Sequence, residues 1–332
     1  KLLAELDIAE KRLPQDGKFS TRIASLFLDI RVSTLPTVNG ECVVLRLLYR
    51  EKVSLDLDYL GLEPDHKELA VRMIGSSYGM LLVTGPTGSG KTTTLYSMLT
   101  RLNHPDRKII NIEDPVEYQI QGINQIQVRS DIGLSFAAAL RSILRHDPDI
   151  VLVGEIRDRE TAEISIQSAL TGHLVLSTLH TNDAPSSLFR LVEMGIEDYL
   201  LNAALVGVMA QRILRRNCPF CSRPDPGAEA LLREYALHDV AEKCGHLLGD
   251  GINLQRGQGC PRCGGTGYRG RMAIFELFDY TDDLKELFLK KMSLEALRGA
   301  LRERPSFRYL REDGILKVAR GQTTLDEVLR VC

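Results

Sequence analysis

Gly85, Pro86, Thr87, Gly88, Ser89, Gly90, Lys91 and Thr92 stand in the order G-x-x-x-x-G-K-T, the spacing of a loop that cradles nucleotide phosphates. Glycine lets the backbone close around a phosphate with its N–H groups turned inward. A helix opening directly after the loop adds its positive end to that field. The spacing places Lys91 at the β- and γ-phosphates of ATP and the Thr92 hydroxyl on Mg²⁺, with Thr93 following at the start of the helix. Met80 to Thr84 before the loop reads as a buried strand and Thr93 to Leu99 after it as a helix, the context such a loop requires.

Hydrolysis needs more than a cradle: metal ligands, a group that orients water, and positive charge for the transition state. Parallel sheets put ligands beyond the C-terminal ends of their strands. Three expected strand ends carry suitable residues: Glu113-Asp114, Glu155, and Ser177-Thr178 followed by His180. Glu155 follows an apolar run and a glycine, so it is the first candidate to polarise the attacking water; an acid opposing the dipole of the next helix is the plainer alternative. Glu113 and Asp114 are a second pair, although Asp114 could simply shape the turn before Pro115. His173 and His180 could equally be hydrogen-bonded structural residues.

Two cysteine pairs, Cys218-Pro219-Phe220-Cys221 and Cys260-Pro261-Arg262-Cys263, give four thiolates able to close a structural Zn²⁺ site. The span 222–259 between them exceeds the usual ribbon spacing and must form a loop or subdomain of its own. A redox pair is the rival reading, disfavoured by two matching pairs. Cys244 and His246 read as bystanders, Cys42 as a small buried hydrophobe, Cys332 as a fraying terminal residue.

The elements that must position these groups follow from periodicity and turn signals. Residues 1–13 carry leucines at helical spacing, and Pro14 to Gly17 reads as a turn. Strands are expected over 19–28, 29–33 and 41–48, with a turn at 38–40. Within them, Arg31 and Arg46 interrupt apolar runs. Each is either a solvent-facing or salt-bridged arginine or a cation aimed at phosphates. From about residue 63 strands alternate with helices, the signature of a mostly parallel sheet. Helices are expected over 135–146, 157–170, around 184–194 and over 198–214. From about 270 the chain reads as helical, with a capping box at Thr324 and Glu327.

The chain has 332 residues, 44% hydrophobic and 26% charged, an ordinary soluble balance. A net charge of -2 and 6% aromatics without Trp offer no basic field or stacking platform for nucleic acid. No apolar run is long enough to span a bilayer. Two C-x-x-C pairs beside a nucleotide motif point to a reducing cytosol. The chain opens on Lys1 without Met, which reads as a truncation that has lost an N-terminal region.

Gly85 to Thr92, the acidic stretch Ile109 to Glu117, Val151 to Asp158, and Thr171-Gly172-His173 through His180-Thr181-Asn182 resemble the four boxes of the secretion ATPase superfamily: Walker A, Asp box, Walker B and His box. The four cysteines narrow the resemblance to type II secretion ATPases and the similar type IV pilus assembly ATPases. It covers the chain from about Leu2 to Arg330. It implies an α/β fold: a partial PAS-like α+β domain (1–49), a linker (50–62), a RecA-like P-loop domain (63–217), a tetracysteine zinc segment (218–268) and a helical C-terminal region (269–332). It further implies a homo-hexamer on the cytoplasmic face of the bacterial inner membrane, turning ATP hydrolysis into motion of platform proteins, with the domain that binds the membrane anchor missing here. Arg31 and Arg46 match arginines of the family that reach the phosphates. Arg141, otherwise an i, i+4 partner of Arg145, matches another active-site arginine. A nucleic-acid motor on a RecA-like core and a nucleotide-gated scaffold with little turnover are the rival readings; a pilus retraction ATPase is expected to lack the tetracysteine insert.

Overall fold

The computed structural model describes residues 1–23, 26–49, 55–225, 227, 240, 244, 246–247 and 251–332. Residues 50–54 of the expected linker and most of the span 222–259 lie outside the described residues. The chain divides into two compact units, Lys1–Ser54 and Leu55–Cys332.

The smaller unit is an antiparallel sheet of β1 (Gln15–Ile23), β2 (Leu26–Thr37) and β3 (Gly40–Tyr49). Alternation turns Leu28, Ile30 and Val32 to one face, where they bury against Ala4, Leu6 and Phe19. The register sets Lys18 opposite Arg31, and Arg31 opposite Arg46. Three cations therefore cross the other face in one row, although like charges directly opposite are destabilising. Three expectations fail here. Residues 1–13 hold only a 3-10 turn at Leu2–Ala4, because Asp7 Oδ1 accepts from the N–H groups of Ala9 and Glu10 and competes with a helix. Gln15 opens β1 instead of a turn, its side chain bonding back to the backbone of Asp7 and Glu10. Cys42 is exposed rather than buried.

The larger unit is built on a seven-stranded sheet in the order β12-β9-β4-β8-β7-β5-β6. These are β4 (Gly79–Thr84), β5 (Ile109–Glu113), β6 (Asn124–Gln127), β7 (Ile150–Val153), β8 (Leu174–Leu179), β9 (Leu205–Asn217) and β12 (Tyr268–Asp279). All pairs are parallel except β9 with β12. Residues of β4 alternate between two cores: Met80 and Leu82 face one, Leu81 and Val83 the other. The second core is covered by α1 (Pro64–Ile74) and α2 (Lys91–Leu102). The first is covered by α3 (Phe136–Ile143), α4 (Arg159–Leu170), α5 (Ser186–Glu193) and α6 (Asp198–Ala204). The C-terminal helices α7 (Asp282–Leu289), α8 (Leu294–Arg302), α9 (Leu310–Ala319) and α10 (Leu325–Val331) pack on the same side. A sheet covered on both faces explains why its strands read as continuous apolar runs.

The helix expected over 198–214 ends at Ala204. The rest is β9, whose residues are buried on both faces through Leu214 apart from the partly exposed Val206 and Ile213. The helical reading from 270 is corrected likewise, since β12 runs to Asp279 and pairs with β9. Helix α9 falls within the stretch expected to be helical. Thr324 Oγ1 does accept from the Glu327 N–H, but the Glu327 carboxylate turns to Arg215 rather than closing the box.

Candidate active site and metal centre

The loop 85–90 leaves the end of β4, in the middle of the sheet, and runs into α2 with Gly90 as its N-cap. Gly85 has a φ of 148°, and a Cβ there would lie 2.6 Å from Ser89 Oγ and 2.7 Å from the Gln211 carbonyl. Gly88 has a φ of 80° with open space where a Cβ would stand. The first glycine is required by close approach, the second by the left-handed backbone. Gln211, fully buried on β9, donates from Nε2 to the Ser89 carbonyl at 2.6 Å and braces the loop. Lys91 Nζ donates to the carbonyls of Gly85 at 2.7 Å and Pro86 at 3.1 Å. Burial pushes the Lys91 ammonium down, Glu155 opposes that, and Arg212 adds to it.

Glu155 follows β7, the second neighbour of β4 in the sheet. The Ile156 N–H donates to the Thr178 carbonyl at 3.0 Å, and the Thr178 hydroxyl to the Gly154 carbonyl at 2.7 Å. The turn is thus fastened to β8 on both sides of Glu155. One carboxylate oxygen accepts from Arg157, and the other lies 3.2 Å from His180 Nε2. Burial would raise this carboxyl, but the hydrogen bonds and charges of Arg157 and His180 outweigh it and hold the group below the usual range. Glu155 is therefore an anion at neutral pH, fixed in direction by Arg157 in its own turn and His180 just after β8.

The other expected residues fall in different surroundings. Glu113 is buried at the end of β5, accepting from Tyr96 Oη at 2.6 Å, with the side-chain amides of Asn111 and Gln125 at 3.4 Å. Burial raises its carboxyl against those donors. Arg141, on α3, pairs with Glu160 at the start of α4, both half-exposed. His173 Nδ1 lies 2.9 Å from the Ser168 carbonyl, at the start of β8 and so at the opposite end of that strand from His180. Arg31 and Arg46 belong to the smaller unit. Sequence reasoning missed Arg157 as the partner of Glu155, and missed Gln211 and Arg212 as supports. Arg212 is buried and donates to the Asn182 carbonyl at 2.6 Å. The Gln-Arg pair inside an apolar run was the available signal.

The four paired cysteines bring their Sγ atoms within 4.8 Å of one another. Separations are 3.9 Å for Cys218–Cys260, 3.9 Å for Cys221–Cys263 and 3.7 Å for Cys260–Cys263. A tetrahedron of thiolates ~2.3 Å from a Zn²⁺ ion has edges of about 3.8 Å, so the donor set fits that ion. The Cys263 thiol is pushed down to about 6 despite its burial, because backbone N–H groups favour its thiolate. The ribbon of β10 (Ser222–Pro224) and β11 (Gln255–Gly257) holds the two knuckles together. Cys244 is buried apart from this cluster. Among the described residues no helix is long and apolar enough to cross a membrane.

The chain is similar to several known proteins. The type II secretion system protein E of Pseudomonas aeruginosa is 50% identical over the whole chain, which spans 64% of that protein. The type IV pilus assembly ATPase PilB of Thermus thermophilus is 48% identical over 99% of the chain and 36% of its own length. The crystal structure of the pilus retraction motor PilT with bound ADP matches 97% of this chain and 78% of that one, at a TM-score of 0.68 and 27% identity. The chain thus spans about two-thirds or less of the length of these curated relatives. A family model described as Type II/IV secretion system protein matches residues 1–330, and the chain belongs to that family.

Proposed function

We propose that this chain is the core of a Mg²⁺-dependent ATPase, a hexameric motor that powers pseudopilus assembly and protein secretion through a type II secretion system. The observation that carries the reading is the anionic Glu155, held between Arg157 and His180 beyond the strand end that the sheet sets near the phosphate loop. The names of the relatives reported above support the cellular role. The backbone N–H groups of the loop from Gly85 to Thr93, Pro86 apart, and the Lys91 ammonium bind the phosphates of ATP; Gly85 lets the loop close against Ser89 and Gln211, and Gly88 leaves open space where a Cβ would stand. The Thr92 hydroxyl is the magnesium ligand from the loop, and Mg²⁺ when bound neutralises charge on the phosphates. Glu155 orients the attacking water, and His180 holds the far carboxylate oxygen in place. Glu113 keeps the strand end and α2 in register through Tyr96. Arg31, Arg46 and Arg141 supply positive charge toward the transition state. The partners are further copies of the chain and the platform proteins of the inner membrane, to whose cytoplasmic face the motor binds peripherally.

Type IV pilus assembly is the second reading, favoured by the 48% identity to PilB over nearly the whole chain. The test of the shared chemistry is ATP turnover against oligomer size, with duplex DNA as a control. Turnover per chain is expected to rise on hexamer formation and to ignore DNA. DNA-stimulated turnover with a steep salt dependence would replace this reading by a nucleic-acid motor.

We further assign Zn²⁺ to Cys218, Cys221, Cys260 and Cys263 as a structural ion. Metal analysis should find one zinc per chain. Cys260→Ser is expected to lose the ion and lower the melting temperature by several degrees while nucleotide affinity persists. Full metal retention in Cys260→Ser/Cys263→Ser would refute the assignment.

A further inference from the structure

We propose that Arg298 on α8 and Glu276 on β12 are positioning residues for His180, wiring the C-terminal helices to the Glu155–His180 pair. The inference rests on the catalytic reading given above. His180 directly follows β8, and the loop it opens is tied down residue by residue. The Thr181 N–H donates to Thr84 Oγ1 at 3.0 Å, joining the loop to the last residue of β4, immediately before Gly85. The Asn182 carbonyl accepts from Arg212. Asp183 accepts from the Ser186 N–H on one carboxylate oxygen at 2.8 Å and pairs with Arg298 on the other. The Ala184 N–H donates to Glu276 Oε1 at 2.9 Å.

The far ends of these contacts meet each other. Glu276 Oε2 accepts from the Leu310 N–H at 3.1 Å, the first residue of α9. Tyr309 Oη donates to the carbonyl of Arg298 at 3.2 Å. One network therefore runs from α8 and the start of α9, through a single buried carboxylate and one ion pair, to the loop carrying His180. Glu276 is 2% exposed. A buried carboxylate whose two oxygens each take a backbone N–H ties two segments rigidly, because leaving either donor unmet is costly. Burial pushes this carboxyl up to about 7 against those two donors. Arg298, Glu276 and Asp183 reach the phosphate loop only by way of the His180 loop, through Thr84 and through Arg212, which also donates to the Gln211 carbonyl, so they should govern the chemical step rather than binding. Displacing a catalytic group by as little as ~1 Å can cost a hundredfold in rate.

The experiment is steady-state ATP turnover and nucleotide titration on the full chain, for Arg298→Ala, Arg298→Lys, Asp183→Asn and Asp183→Asn/Arg298→Ala, with His180→Ala as the reference. Arg298→Ala is expected to lower kcat about tenfold with KM and the melting temperature little changed. Arg298→Lys should recover part of the loss, and the double variant should be no slower than the worse single one. The proposal is overturned if Arg298→Ala turns over at the wild-type rate, if KM rises as much as kcat falls, or if the two single losses multiply in the double variant. His180→Ala separates the two levels: wild-type turnover there sinks the catalytic reading of His180, whereas a slow His180→Ala beside a normal Arg298→Ala sinks only the wiring.

Discussion

Glu155→Gln is expected to reduce ATP turnover by ~100-fold or more while nucleotide affinity stays within a factor of about two. The substitution keeps size and shape and removes one negative charge. The amide oxygen can still accept from Arg157, so the turn after β7 should persist, held as it is by Ile156 and Thr178. What disappears is the anion that Arg157 and His180 keep ionised. An amide cannot draw a proton from water, and it leaves the imidazole of His180 without the charge that orients it. Binding should survive because the contacts expected with the phosphates belong to the loop and Lys91. Glu155 in fact opposes the desolvation of Lys91, so its loss trims that support slightly while easing repulsion of the incoming phosphates. Turnover by phosphate release, beside titration with a fluorescent ATP analogue, separates the two effects. Wild-type turnover with normal binding would remove Glu155 from the mechanism.

The parts of this site that sequence exposes are those whose geometry is local. The phosphate loop needs glycine where a Cβ would collide or φ is positive, so its letters are visible. Glu155 is visible because a buried strand is a short apolar run and the acid stands just beyond it. The supports are not visible, because their reasons lie far away in the chain. Gln211 looks like a stray polar residue until β9 is set beside β4. Glu276 sits in Met272 to Phe278, an otherwise apolar stretch, and only the meeting of Ala184 and Leu310 explains it. The misreadings of 198–214 and of the segment after 270 share one cause: a strand buried on both faces has no period-2 alternation, so periodicity cannot separate it from a buried helix. The small unit shows the converse. Its alternation is legible, but the row of Lys18, Arg31 and Arg46 appears only once the register is known.

Replacing Arg308 by methionine is expected to destabilise the larger unit by about 3–5 kcal/mol, the cost of breaking a buried ion pair from one side. Arg308 has no exposed surface, yet it holds a carboxylate from each end of the unit. Its Nη2 donates to Asp65 Oδ1 at 2.9 Å, near the start of α1, and its Nε lies 3.7 Å from Asp313 Oδ1 on α9. Asp65 is partly exposed and could rehydrate, but Asp313 is fully buried and would be left as an uncompensated anion. Asp313 also accepts the Phe275 N–H at 3.0 Å. Arg308→Met/Asp313→Asn should therefore recover more than half of the loss, since asparagine is neutral and its carbonyl can still take that donor. Urea unfolding with an unchanged slope is the measurement; a single variant within 1 kcal/mol of wild type would show the pair to be idle. His66 supplies a second readout of the same pocket. Burial pushes its imidazole down to about 4 from 6.5, with the Arg308 charge helping and Asp313 opposing. A folded-state value below the unfolded one means stability is fully present above pH 6.5 and is lost as pH falls toward 4. By pH 5 the loss from this residue should reach about 2 kcal/mol. Glu276, raised to about 7, titrates in the same window with the opposite sign, so the wild type alone would hide it. His66→Gln, whose amide can still donate to the Ser306 carbonyl, should gain on the wild type by that amount between pH 7.5 and pH 5, and an unchanged difference would show that His66 is protonated inside the fold.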